Sequence, residues 1–99
     1  MTRLPQETND LNGGWQRVYR FPNGYGASVV AHRSSSGQEL AVLNWNAGGV
    51  LAYYTPLTAD VIGHLSDEDR EDLLDQIEAL PTAPGEAEHL LLNRRNLYS

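Results

Sequence analysis

The residues able to do chemistry are few and scattered. His32, His64 and His89 lie far apart in the chain, and none has a second His, Asp or Glu at a spacing that makes a metal-binding motif. Glu88 and His89 are adjacent, and a helix would point them apart. All three histidines read as ordinary surface or boundary residues. Ser34, Ser35 and Ser36 offer hydroxyls, but no Gly-x-Ser-x-Gly elbow surrounds them, and serines in such a run usually satisfy backbone groups of a turn. Gly24-Tyr25-Gly26-Ala27-Ser28-Val29 begins like a dinucleotide-binding fingerprint, yet it lacks the third glycine and leads into a strand pattern where a helix is required. The chain has no cysteine, which removes thiol nucleophiles, thiolate metal sites and disulfides. The expectation is a non-enzymatic protein with no catalytic residue, no metal site and no cofactor.

Two charged patterns remain. Between Asp60 and Glu78 lie eight acids and one base, Arg70, within a chain whose formal net charge is -6. Rows of exposed carboxylates can imitate the phosphate spacing of nucleic acid and occupy a basic cleft on another protein; alternatively, they form a solvated helix face whose first turn suits the helix dipole. Asp72 and Asp75 are the candidate partner-binding acids. The excess of acid argues against direct nucleic-acid or anionic-membrane binding. Arg17, Arg20 and Arg33 carry the second pattern. An Arg can clamp a phosphate bidentately while Tyr or Trp stacks a base, giving a small-ligand or nucleotide-binding module as the alternative reading.

The elements that must position these groups follow from periodicity. A polar arm occupies residues 1–14. From Trp15 the period becomes two, with Trp15, Arg17, Tyr19 and Phe21 on one side of a strand. Pro22-Asn23-Gly24 turns the chain, and Tyr25-Gly26 reads as the rest of a longer hairpin loop. Further strands are expected over residues 27–33, 39–45 and 50–55, separated by loops short enough to require antiparallel neighbours. Thr58 to Gly63 reads as a short capped helical turn. Ser66 then caps a longer helix over residues 67–80, with Leu73, Leu74, Ile77 and Leu80 as its apolar stripe and Pro81 as its stop. This predicts an α+β domain, a four-stranded antiparallel β-meander with a C-terminal α-helix packed on one face, over residues 15–81. Residues 82–99 form a C-terminal extension that reads either as a short helix or as a docked strand, ending in the basic-aromatic tail Arg94-Arg95-Asn96-Leu97-Tyr98-Ser99.

A single amphipathic helix covers one face of such a sheet, whereas Val29-Val30, Leu40-Ala41-Val42-Leu43 and Val50-Leu51-Ala52-Tyr53-Tyr54 place apolar groups on both. The second face needs a cover, from the terminal segments, a second copy or a partner. Trp15, Tyr19, Phe21, Trp45 and Tyr53 are the candidate aromatic contacts, because large rings with polar tips bury much area at little rotamer cost. The N-terminal residues lack the apolar core of a signal peptide and no stretch has the length of a membrane span, so a cytoplasmic location is expected.

Three stretches carry a resemblance: Phe21-Pro22-Asn23-Gly24-Tyr25-Gly26-Ala27-Ser28-Val29-Val30, Glu39-Leu40-Ala41-Val42-Leu43, and Tyr54-Thr55-Pro56-Leu57-Thr58-Ala59-Asp60-Val61-Ile62-Gly63-His64-Leu65. Together they resemble a family of small uncharacterised proteins from bacteriophages of actinobacteria, over residues 19–81. No activity or catalytic residue comes with that family. The resemblance implies a phage accessory protein in the host cytoplasm that binds, and modulates or inhibits, a host or defence protein; a self-associating virion or assembly component is the further alternative. All seven bases are Arg, a habit of G+C-rich coding that suits this setting.

Overall fold

The computed structural model describes residues 4–11, 13–32, 37–57 and 61–98. Its antiparallel sheet contains six strands: β1 (Glu7–Leu11), β2 (Gly14–Arg20), β3 (Tyr25–Ala31), β4 (Gln38–Asn44), β5 (Val50–Leu51) and β6 (Ile62–Leu65). Two helices follow, α1 (Asp67–Glu78) and α2 (Glu86–Tyr98). The first five strands lie in chain order as a meander, and β6 returns to pair with β4. The α+β class and the helix-covered antiparallel sheet are as the periodicity predicts.

Strand alternation sorts the side chains. Trp15, Arg17 and Tyr19 of β2 stand opposite Ala31, Val29 and Ala27 of β3, which in turn face Gln38, Leu40 and Val42 of β4. This face is the core. Against it α1 sets Leu74 and Ile77, both fully buried, with Leu73 and Leu80 at the margin. Ser66 caps α1 as expected, in a reciprocal pair with Asp69 that satisfies two orphan donors of the first turn.

Several segments depart from expectation, each for a local reason. The N-terminal arm contains β1, which pairs along β2 from Glu7↔Val18 to Leu11↔Gly14. Gly13, at φ 81°, supplies the left-handed conformation that a tight hairpin needs. Tyr25 and Gly26 belong to β3 itself, since Phe21 and Gly24 close the turn through hydrogen bonds from Phe21 N–H to Tyr25 O and from Gly24 N–H to Phe21 O. The strand expected over 50–55 pairs regularly only at Val50–Leu51, with one more bond from Ala52 N–H to Val42 O. The remaining outer edge of β4 goes to β6, through Leu40↔Ile62 and Gln38↔Leu65, across an irregularity near His64, whose φ is 59°. Backbone groups that a short β5 leaves unpaired are thereby satisfied, and Ile62 and Gly63, expected at the end of a helical turn, open a strand instead. Thr58, Ala59 and Asp60 of that turn lie outside the described residues.

On the opposite face Gly26 shares a row with Arg20 and Leu43. Trp45 closes over this glycine and donates its indole N–H to Tyr19 O at 3.0 Å. A Cβ at Gly26 would sit 2.0 Å from Tyr19 O and 2.6 Å from the Trp45 nitrogen. Gly26→Ala should therefore lower stability by about 1–3 kcal/mol in urea unfolding followed by tryptophan fluorescence. Gly63→Ala, where the nearest neighbour is Glu39 Cγ at 3.9 Å, should change it by no more than about 0.5 kcal/mol.

Candidate functional site

Two places concentrate polar chemistry: a buried junction where α2 meets the sheet, and the outer face of α1. The junction begins with asparagines at one end of the sheet. Asn23, in the β2–β3 turn, accepts from Tyr25 N–H and donates through Nδ2 to the carbonyls of Ile77, Glu78 and Leu80 at 2.9, 3.2 and 3.0 Å. It serves both its own turn and the open C-terminus of α1. Asn46 holds Ala83 O at 2.9 Å, and Asn44, fully buried at the end of β4, holds Pro84 O at 2.9 Å. The connection from α1 to α2 is therefore pinned carbonyl by carbonyl.

Within α2, His89 is 1% exposed. Its Nδ1 lies 2.7 Å from the Tyr54 hydroxyl and 3.2 Å from Asn44 Nδ2, while its Nε2 lies 3.1 Å from Asn93 Nδ2. The orientation of Asn93 is set by the backbone. Its Oδ1 accepts from Tyr53 N–H at 2.8 Å and its Nδ2 donates to Leu51 O at 2.8 Å, so the carboxamide seals the outer edge of the chain leaving β5. The second Nδ2 hydrogen then points to His89 Nε2, which must accept; the ring proton sits on Nδ1 and is donated to Tyr54. Burial holds His89 below the ordinary imidazole value, against the opposing charge of Glu86. Burial, then the neighbouring Tyr54, push the Tyr25 phenol up to about 12, and burial also raises Tyr54 despite hydrogen bonds from Asn44 and Tyr25.

The expected aromatic contacts do not share an open face. Tyr19 and Phe21, at 3% and 5% exposure, belong to the core beneath α1, because the side of β2 that carries them is the side the helix covers. Trp15 is half-buried at the margin of that core, with the Arg17 guanidinium 4.1 Å above its ring. Trp45 lies on the other face under Arg20, 5.4 Å from the guanidinium to the ring centroid. Tyr53 is half-buried beside Asn93. Arg17 and Arg20 thus stand on opposite faces of the sheet, each over its own tryptophan, and form no common phosphate clamp. Arg33 and the serines at 34–36 lie outside the described residues. His32 and His64 are exposed, whereas His89 is buried, contrary to the expectation of a surface or boundary residue.

On α1, Glu68, Asp72 and Asp75 are exposed and recur at helical spacing opposite Leu74 and Ile77. Arg70, the one base of the helix, turns back to the sheet. It donates to Glu71 at 2.9 Å, to Asp67 at 3.0 Å and to Gln38 Oε1 at 3.0 Å. Burial acts against its charge, but the hydrogen bond and charge of Glu71 and the charge of Asp67 prevail and hold its pKa above the ordinary value. Among the described residues no cluster of His, Asp or Glu is arranged to hold a metal ion, and no pocket is enclosed.

Comparison with protein-family models, curated proteins and solved structures found no match for this chain.

The tie between Asn23 and α1 makes a prediction that separates capping from simple packing. Asn23→Ala should lower stability by about 1–3 kcal/mol, since helix carbonyls lose their donor. Asn23→Asp should be worse than Ala, because it sets a negative charge against three carbonyls at the negative end of the helix dipole. Urea midpoints of the two variants give the ranking.

Proposed function

We infer that this protein is a non-enzymatic accessory protein that binds a basic surface on another protein through the outer face of α1. The observation that supports this most is the asymmetry of the helix. Its base is engaged at the sheet with Asp67, Glu71 and Gln38, and Glu68, Asp72 and Asp75 face outward. Carboxylates one helical turn apart form a row of negative charge at a spacing comparable to that of nucleic-acid phosphates, which suits a cleft built to receive nucleic acid. Burial of Tyr19 and Phe21 leaves Trp15, Trp45 and Tyr53 as the partly exposed aromatic candidates, with Trp15 and Trp45 on opposite faces of the sheet. The resemblance to actinobacteriophage proteins makes a host or defence protein in the host cytoplasm the partner, with modulation or inhibition as the outcome.

The test is capture from host lysate by the wild-type protein and by Asp72→Lys/Asp75→Lys. Both positions are exposed, so the fold should survive, as circular dichroism and the urea midpoint will show. Capture should weaken by about tenfold or more in the double variant and fall steeply as salt rises above ~0.15 M. Undiminished capture by a folded double variant would remove α1 as the binding face.

A further inference from the structure

We propose that α2 is a latch that stays closed only while His89 is neutral, and that protonating this ring releases the helix and uncovers the backbone edge at residues 51–53. Three observations carry it. First, among the described side chains of α2 no apolar residue is fully buried, and Leu92 is only partly so. His89 is the buried side chain of the helix among those described, whereas Leu90 and Leu91 are 59% and 58% exposed. The helix is held by Asn93 to Leu51 O and Tyr53 N–H, and by His89 to Tyr54.

Second, these bonds admit only one protonation state. Nε2 of His89 faces an amide donor, Asn93 Nδ2, at 3.1 Å. A proton on Nε2 would set donor against donor. Flipping the Asn93 amide to offer its oxygen would turn its NH2 toward Tyr53 N–H and its oxygen toward Leu51 O, which loses the two bonds that fasten α2. A buried imidazolium without an acceptor is more costly than either bond.

Third, among the described residues only exposed carboxylates offset a positive charge on the ring. From the sheet side it is faced by the Tyr54 phenol and the Asn44 amide, with the Tyr25 phenol bonded to Tyr54 behind them, and burial keeps both phenols neutral. From α2 itself the nearby acids are Glu86 and Glu88, both exposed and therefore screened by solvent. The direction of linkage follows. The ring binds a proton more weakly with α2 docked than in the open state, so docking is complete above about pH 6.5 and is lost as pH falls toward the lower value of the docked ring.

Opening would be local. The core formed by β2, β3, β4 and α1 does not contain His89, and elements with few apolar contacts open at lower free energy than the core. Amide hydrogen exchange on the whole protein, corrected for the intrinsic pH dependence, tests this. Between about pH 7.5 and pH 5, protection over residues 86–95 should fall by up to about tenfold per pH unit from about pH 6.5 down to the lower pKa of the docked ring, while protection over β3 and β4 is unchanged. In Asn93→Asp the bond to Leu51 O is lost, which lowers α2 protection at about pH 7.5, but a carboxylate faces Nε2, so His89 should titrate at higher pH and α2 protection should not fall further in acid. Equal α2 protection at both pH values in the wild type, or loss of β3 and β4 protection in step with α2, overturns the latch; so does an Asn93→Asp variant that opens in acid as the wild type does.

Discussion

A polar group taken out of water must find a partner inside the protein, and β4 carries two such groups at its ends. Gln38, 8% exposed, receives Arg70 on its oxygen and donates to Asp67 at 2.6 Å, which fixes the start of α1. Asn44, with no exposure, receives Asn46 N–H and donates to Pro84 O, which fixes the start of α2. Every buried side-chain nitrogen and oxygen among the described residues has a hydrogen-bond partner. The requirement acts as a placement rule: the apolar stripe of α1 selects which sheet face to cover, and the buried amides select where along it the helices stop.

The same rule explains how so small a chain closes its sheet. Exposed strand edges invite unwanted pairing, and β4 would present one if β5 alone lay beside it. Instead β5 and β6 divide that edge, and the far side of the chain leaving β5 is sealed by a side chain, since Asn93 offers one acceptor and one donor in the geometry of a neighbouring strand. On the other flank β1 is short and polar, with Glu7 and Asp10 exposed. Most of the sheet is thus protected by pairing, and among the described side chains of α2 the protective contacts are hydrogen bonds from individual residues rather than a buried apolar stripe.

The legible part of the fold is the part decided by local periodicity. Alternation over Trp15 to Phe21, the leucine stripe of α1 and the Ser66 cap were all apparent, because each is encoded within a few residues. What depended on distant partners was not. Asn12-Gly13-Gly14 falls in the stretch expected to be a polar arm, although an Asn-Gly pair between two strands is also a hairpin signal, and Gly13 turns β1 onto β2. Residues 62–65 became a strand because β4 had an edge to fill. The fate of Trp15, Tyr19 and Phe21 hinged on which face α1 would choose, and alternation alone does not say. His89 reads as an ordinary histidine in sequence because its partners are Tyr54, Asn44 and Asn93, of which only Asn93, four residues on, lies at helical spacing.

The two ends of the molecule thus have different characters: a charged outer face on α1 set on a packed core, and a polar junction beneath α2 that tolerates one arrangement of protons. The most direct probe of that junction is the tautomer of His89, read from long-range proton–nitrogen couplings of its imidazole at neutral pH. A proton on Nδ1 with a bare Nε2 is expected from the fixed orientation of Asn93. A proton on Nε2, or a ring already charged at neutral pH, would contradict the hydrogen-bond arrangement on which the docking of α2 rests.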